Sequence, residues 1–279
     1  MEIGGKTRLL ALLGKPVGHS LSPAMHNASF AAEGLDYVYV ALDVDPDDVP
    51  AAVRGAVALG FRGFNVTMPH KRAMVPLMHE LDEAARISGA VNTVRIENMR
   101  LCGHNTDGSG LVEACKEAGV ALAGREFLLL GAGGAAASIA VALCGEGVGR
   151  LRIVNRNVER AEDLSERLRR AGKGVEIATG SAATLEGEVP AAPVIVNATS
   201  LGMRDADPLP LQENLIQEDA VVVDAVYRPG RETALIQTAR ERGASVVTGQ
   251  RMLLYQGVLA QRLWTGHEPN IEAMAAALA

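Results

Sequence analysis

Phe127-Leu128-Leu129-Leu130-Gly131-Ala132-Gly133-Gly134-Ala135-Ala136 decides the fold. The four apolar residues read as a buried strand, and the helical pattern Ala135–Cys144 begins directly after the glycines. Strand, turn and helix in that order are the setting in which G-x-G-x-x-G/A binds a dinucleotide. Gly131 would permit the tight turn, Gly133 would let backbone amides approach a pyrophosphate, and Ala136 would let the helix lie close on the sheet. A helix N-terminus adds unpaired N–H donors and a positive dipole end. Gly131, Ala132, Gly133, Gly134 and Ala135 are therefore cofactor-binding candidates; a plain glycine turn between strand and helix is the alternative.

The following strand, Leu151–Val154, ends in Asn155-Arg156. A site for NAD would place an acidic residue there, accepting from the ribose 2′-hydroxyl. Arg156 stands there instead, with Arg160 four residues on and on the same face if a helix starts at this point. Two guanidiniums can clamp a 2′-phosphate, so Asn155, Arg156 and Arg160 select NADP over NAD. A solvated arginine pair is the competing reading.

On either side, apolar runs alternate with amphipathic segments. Strands are predicted at Leu9–Leu13, Tyr37–Val44, Gly63–Val66, Thr93–Ile96, Phe127–Leu130, Leu151–Val154, Val175–Ile177, Val194–Val196, Val221–Asp224 and Ser245–Val247. Helices are predicted at Pro23–Glu33, Pro46–Leu59, Gly108–Glu117, Ala135–Cys144, Glu159–Ala171, Glu232–Arg242 and Met252–Leu263, with Ser22 and Asp45 as caps of the first two. Such alternation predicts an α/β protein with parallel sheets covered on both faces. At 279 residues, two domains are expected. The glycine-punctuated stretch at 103–125 marks the boundary, and a last Ala-rich helix, Glu272–Leu278, would pack back on the first domain. Residues 1–105 plus 250–279 would form an α/β substrate-binding and catalytic domain. Residues 106–249 would form a doubly wound, Rossmann-like NADP domain, with a cleft between the two.

The formal net charge of −6 gives no overall basic field for nucleic acid. Cys102, Cys115 and Cys144 form no C-x-x-C pair, and their sparseness suits a reducing cytosol. The N-terminal apolar run is too short for a secretion signal, and no stretch is long enough to span a membrane. The expectation is a soluble cytoplasmic protein, monomer or homodimer, with a small-molecule substrate.

Polar clusters occur where a core would prefer apolar residues: Gly14 through Asn27 follows the first predicted strand, Asn65-Val66-Thr67-Met68-Pro69-His70-Lys71 closes the third, and Gly89-Ala90-Val91-Asn92-Thr93 and Gly103-His104-Asn105-Thr106-Asp107-Gly108 come next. Any one of them could be turn or cap chemistry. Short hydroxyl and amide side chains at the carboxyl ends of strands are also where open α/β sheets hold ligands.

Together these motifs resemble the shikimate dehydrogenase family. The resemblance includes G-x-P-x-x-H-S-x-S-P-x-x-H-N, N-V-T-x-P-x-K, G-A-V-N-T and N-T-D-x-x-G. It continues through the glycine turn, Asn197-Ala198-Thr199-Ser200-Leu201-Gly202-Met203, and Gly249 through Gln256. It implies reversible NADPH-dependent reduction of 3-dehydroshikimate to shikimate, in chorismate and aromatic amino acid biosynthesis. Lys71 would be the acid/base residue and Asp107 its partner. Ser20 and Ser22 would hold the substrate carboxylate through their hydroxyls. Asn65, Thr67, Asn92, Asp107 and Gln256 would bind ring hydroxyls, with Tyr227 closing the site. Thr199 and Ala225 would line the nicotinamide half, and Gly249 would let its ring approach. Chemistry agrees: hydride delivery to a ketone builds charge on oxygen, which a lysine can stabilise and protonate.

The chain departs from the family pattern D-x-x-Y-x-P-x-x-T by one residue, since Thr233 follows Asp224-Ala225-Val226-Tyr227-Arg228-Pro229-Gly230-Arg231-Glu232. The extra residue is cheap in loop entropy but could displace Tyr227. His70 is an alternative acid; His19, His26 and His104 read as structural. Three other functions remain open: a quinate/shikimate dehydrogenase using NAD, a methylenetetrahydrofolate dehydrogenase, and a non-catalytic NADP-responsive binding protein. The missing acidic residue at 155–156 argues against the first, and the Ser20, Ser22, Asn65 and Asn92 set suits a polyhydroxylated acid better than a pterin.

Overall fold

The computed structural model describes residues 3–181 and 194–279. The chain divides into two compact units, Met1–Thr106 with Gln256–Ala279, and Asp107–Tyr255.

In the first unit, β1 (Arg8–Gly14), α1 (Ser22–Glu33), β2 (Tyr37–Asp43), α2 (Val49–Ala58), β3 (Gly63–Val66), β4 (Glu80–Leu81), α3 (Glu83–Ser88), β5 (Thr93–Glu97) and β6 (Arg100–His104) follow in order. They form a six-stranded sheet in the order β2-β1-β3-β5-β6-β4. Strand β1 is buried on both sides. Leu10 and Leu12 pack with Phe30, Tyr37, Tyr39 and Trp264 on one face, and Ala11 and Leu13 with Val53, Phe64, Met74 and Val94 on the other. Side chains alternate along a strand, so an unbroken apolar run is what two covered faces require.

The sheet is not wholly parallel. β1 runs parallel to β2 and β3, but β5 is antiparallel to both β3 and β6. The two-residue turn Asn98-Met99, with φ of 50° and 62°, joins β5 to β6 as a hairpin. Neither β6, β4 nor α3 was expected from the sequence. Residues 100–104 carry little apolar signal, and the other two elements are short.

Two predicted caps are corrected. Leu21, not Ser22, precedes α1 and offers no side-chain cap; Ser22 is the first helical residue. Asp45 precedes a single 3-10 turn, Pro46–Asp48, without capping it, and pairs with Lys15 Nζ at 2.5 Å. The predicted helix Pro46–Leu59 therefore begins as a 3-10 turn and runs on without a gap into α2, since Val49 keeps αR angles (φ −52°, ψ −46°) and Pro50 lies in the first α turn, where its missing N–H is tolerated.

The second unit holds α4 (Asp107–Glu117), β7 (Glu126–Leu130), α5 (Gly134–Gly145), β8 (Arg150–Asn155), α6 (Val158–Arg170), β9 (Glu176–Ser181), β10 (Val194–Asn197), β11 (Val221–Asp224), α7 (Ala234–Glu241) and β12 (Ser245–Val247). Its sheet, β12-β11-β10-β7-β8-β9, is parallel throughout. Counted within the unit this is the doubly wound order, which reverses direction between β7 and β10. Helix α8 (Gly249–Thr265) begins in this unit. Its later residues, with α9 (Ile271–Ala276), belong to the first, where Met274 is fully buried and Asn270 N donates to Ser29 Oγ at 3.0 Å.

Candidate active site

Backbone bonds draw three strand ends of the first unit together. Val66 N donates to Asn92 O at 2.8 Å, Asn92 N to His104 O at 3.0 Å, and Val91 N to Lys71 O at 2.9 Å. On this frame lies a buried amide and hydroxyl network. Asn65 Nδ2 donates to Asn92 O at 3.1 Å and to Thr93 Oγ1 at 2.9 Å, while its Oδ1 accepts from Tyr39 Oη at 2.8 Å. Asn92 Nδ2 donates to Thr106 Oγ1 at 2.9 Å, and its Oδ1 accepts from Thr106 N at 2.8 Å. Left unpaired, each of these groups would cost about 1–3 kcal/mol, so the network selects one arrangement.

Asn65, Asn92 and the backbone of Lys71 are therefore brought together at the ends of β3, β5 and β6. The Lys71 side chain is half-buried. Thr67 is half-buried, donates from its backbone to Leu13 O at 2.9 Å and lies against Gly14. Ser20 accepts from Ser22 N at 3.2 Å, and the buried Ser22 hydroxyl meets Tyr39. Gln256 is half-buried on α8. Asp107, buried, opens α4 and is counted with the second unit.

His70 is a structural residue: it is buried, and its Nε2 meets Val44 O at 2.8 Å. His26 is also structural. It stacks on Tyr39 with centroids 4.5 Å apart and pairs through Nδ1 with Gln261 at 3.2 Å. Burial drives its pKa from 6.5 down to about 4, outweighing its hydrogen bonds to Gln261 and Asn65, so the ring is neutral at pH 7. Asn27, in the same motif, braces β2 by giving Nδ2 to Tyr39 O and accepting from Tyr39 N, both at 2.9 Å.

In the second unit Gly131 takes φ 112°, and a Cβ there would lie 2.9 Å from Ala198 O, so the turn after β7 and the loop after β10 admit only glycine at this position. That is the point where the sheet reverses. Gly133 precedes α5 with no side-chain cap, leaving the first amides of the helix open to an anion. Ala136 is fully buried against the sheet, as the motif requires.

At the end of β8, Asn157 caps α6 by accepting from Arg160 N at 3.2 Å, and Asn155 Nδ2 donates to Asn157 O at 2.8 Å. Arg156 consequently lies before the helix, not on its face as expected, and Arg160 lies in its first turn. Both are exposed, and neither guanidinium has an ion-pair partner among the described residues. Two free cations beside a helix N-terminus fit a phosphate monoester.

The sequence assigned no role to Asn197 and Asp224, which close β10 and β11. Asn197 Nδ2 donates to Asp224 Oδ1 at 2.9 Å, and its Oδ1 accepts from Thr199 N at 3.1 Å and Thr199 Oγ1 at 2.7 Å. Asp224 also accepts from Val226 N at 3.0 Å and from Thr233 Oγ1 at 2.6 Å. This pair sets the loops carrying Thr199, Ala225 and Tyr227; all three are half-buried. The extra residue is absorbed in a turn. Arg231 N donates to Arg228 O at 3.3 Å, with Pro229 and Gly230 (φ 72°) at the centre as a type II turn requires. Arg228 and Arg231 both pair with Asp205, at 2.7 and 2.9 Å. At Gly249 a Cβ would stand 2.3 Å from Val226 O, so protein backbone already requires a glycine there.

Known proteins match along the whole length. A model of the shikimate dehydrogenase substrate binding domain fits residues 12–94, one of shikimate / quinate 5-dehydrogenase fits 113–204, and one of the shikimate 5′-dehydrogenase C-terminal domain fits 249–279. The shikimate dehydrogenase (NADP(+)) of Rubrobacter xylanophilus is 58% identical over 99% of this chain and 97% of its own. The chain belongs to the shikimate dehydrogenase family. Among solved structures, the Thermus thermophilus shikimate 5-dehydrogenase in complex with NADP(H) and shikimate aligns with a TM-score of 0.87 at 38% identity, covering 98% of each chain. The Corynebacterium glutamicum quinate dehydrogenase in complex with NAD aligns at 0.89 and 34% identity, over 97% of this chain and 98% of that one. No helix among the described residues of this family member is long and apolar enough to cross a membrane.

Proposed function

We propose that this chain interconverts 3-dehydroshikimate and shikimate with NADP as its cofactor. The observation that carries the reading is the hydrogen-bonded set of Asn65, Asn92, Thr93 and Thr106 at adjoining strand ends, in a chain of this family. Residues 1–105 plus 250–279 bind the substrate, and residues 106–249 bind NADP. NADPH, when bound, supplies the hydride. As the carbonyl π bond opens, Lys71 stabilises the charge on oxygen and donates the proton that completes the hydroxyl, then recovers one from solvent. Asp107 orients the ammonium group. Ser20 and Ser22 hold the carboxylate; Thr67, Asn92, Gln256 and Asn65 hold ring hydroxyls; Tyr227 closes over them. Gly131 to Ala135 take the pyrophosphate and Asn155, Arg156 and Arg160 the 2′-phosphate, with Thr199, Ala225 and Gly249 beside the nicotinamide. The enzyme is cytoplasmic and works as a monomer or homodimer.

Following absorbance of the reduced nicotinamide with shikimate and NADP⁺ tests the activity, and parallel assays with quinate and with NAD⁺ test the nearest alternative. Tight NADPH binding with no turnover of either acid would turn the reading into that of a binding protein. Lys71→Ala should lower kcat by about 10² to 10⁴-fold and leave NADPH affinity unchanged. Undiminished turnover in that variant would remove Lys71 from the chemistry.

A further inference from the structure

Tyr39 lies on β2, outside every motif that marks the site, yet its hydroxyl meets two of the groups expected to touch substrate. The ring is 1% exposed, packed under His26. The partners fix the polarity of the whole chain of bonds. Asn92 O is a backbone carbonyl and can only accept, so the atom of Asn65 facing it at 3.1 Å is the amide nitrogen. The second hydrogen of that nitrogen goes to Thr93 Oγ1 at 2.9 Å. The Asn65 amide has then spent both its donors within the protein, and its Oδ1 faces Tyr39 Oη at 2.8 Å. Because Oδ1 can only accept, Tyr39 donates its single hydrogen there.

The geometry points to Tyr39 as a positioning residue for the reaction: acting through Asn65, its hydroxyl holds the amide in the one orientation that keeps its two hydrogens on Asn92 O and Thr93 Oγ1 at the proposed substrate site. The inference rests on the proposed placement of Asn65 in the substrate site.

Three variants test this: Tyr39→Phe, Asn65→Ala and the double variant, each assayed for shikimate KM, kcat and NADPH affinity. Tyr39→Phe keeps the ring and its packing. It should raise KM about threefold to tenfold, with kcat within about twofold and NADPH affinity unchanged. Asn65→Ala should raise KM further, and the double variant should be no worse than Asn65→Ala, because Tyr39 acts through the amide. A merely structural tyrosine would add its own loss to that of Asn65→Ala or lower the active fraction without moving KM, and either result overturns the inference. If Asn65→Ala itself leaves KM unchanged, the placement of Asn65 is wrong and the inference falls with it. If only Tyr39→Phe leaves KM unchanged, the placement stands and the positioning role alone is lost.

Discussion

Asp224 is fully buried, and the side chain of Asn197 donates to it across neighbouring strands at 2.9 Å. The other donors to this carboxylate are Val226 N and Thr233 Oγ1, no cation pairs with it among the described residues, and burial raises its pKa above 3.8. The folded protein thus holds this proton to a higher pH than the unfolded chain does. From this group, stability declines as pH rises from 3.8 to the folded-state value and is level above it. Thr233→Val removes a donor that lowers the pKa, together with the cap of α7, and should cost about 2–4 kcal/mol at neutral pH. Urea unfolding over a pH series should show the acid-side decline extended to higher pH. An unshifted pH dependence would mean that the threonine does not hold the ionised carboxylate.

Arg156 and Arg160 make separate predictions for the two cofactors. Replacing either with Gln should reduce kcat/KM for NADP by about 10 to 100-fold, the worth of one or two charge-assisted hydrogen bonds, and leave that for NAD nearly unchanged. Equal losses with both cofactors would show that these side chains support the loop and not a 2′-phosphate.

His26 links stability to acid. Its pKa of about 4 in the folded state lies below the ordinary 6.5, so the unfolded chain takes up the proton first. Stability from this group is complete above 6.5 and is lost as pH falls through 4, by up to about 3 kcal/mol. His26→Leu should unfold more easily at neutral pH yet show a shallower fall over that window. A slope identical to the parent would assign the acid sensitivity elsewhere.

Met99 sits at φ 62° in the β5–β6 turn and is 73% exposed, so nothing about its side chain repays the left-handed backbone. Met99→Gly should stabilise the protein by about 0.5–1 kcal/mol, read as a higher urea midpoint with an unchanged m value. A lower midpoint would indicate that the methionine makes contacts worth more than the strain.

Much of the fold was legible because its signals are local. Phe127–Leu130 followed by Gly131, Gly133 and Ala136 contains a strand, a turn and a closely packed helix within one short window, and the structure has each in place. The strands that escaped notice, β4 and β6, are short or weakly apolar, and nothing near Arg100 announces that β5 doubles back. The caps went wrong for a related reason. Ser22 and Asp45 are good capping residues by type, but Tyr39 and Lys15 compete for their side chains.

By itself the sequence determined the alternation of strands and helices, the glycine turn at the sheet's reversal, and the absence of an acidic residue beside Arg156, since each depends on neighbours within a few positions. The tertiary structure alone decided which way Asn65 turns its amide, that Tyr39 stands behind it, and that Asn197 and Asp224 share a bond. Those contacts join residues 26 and 27 positions apart. A hydrogen bond across that distance exists only once particular strands have come to lie side by side.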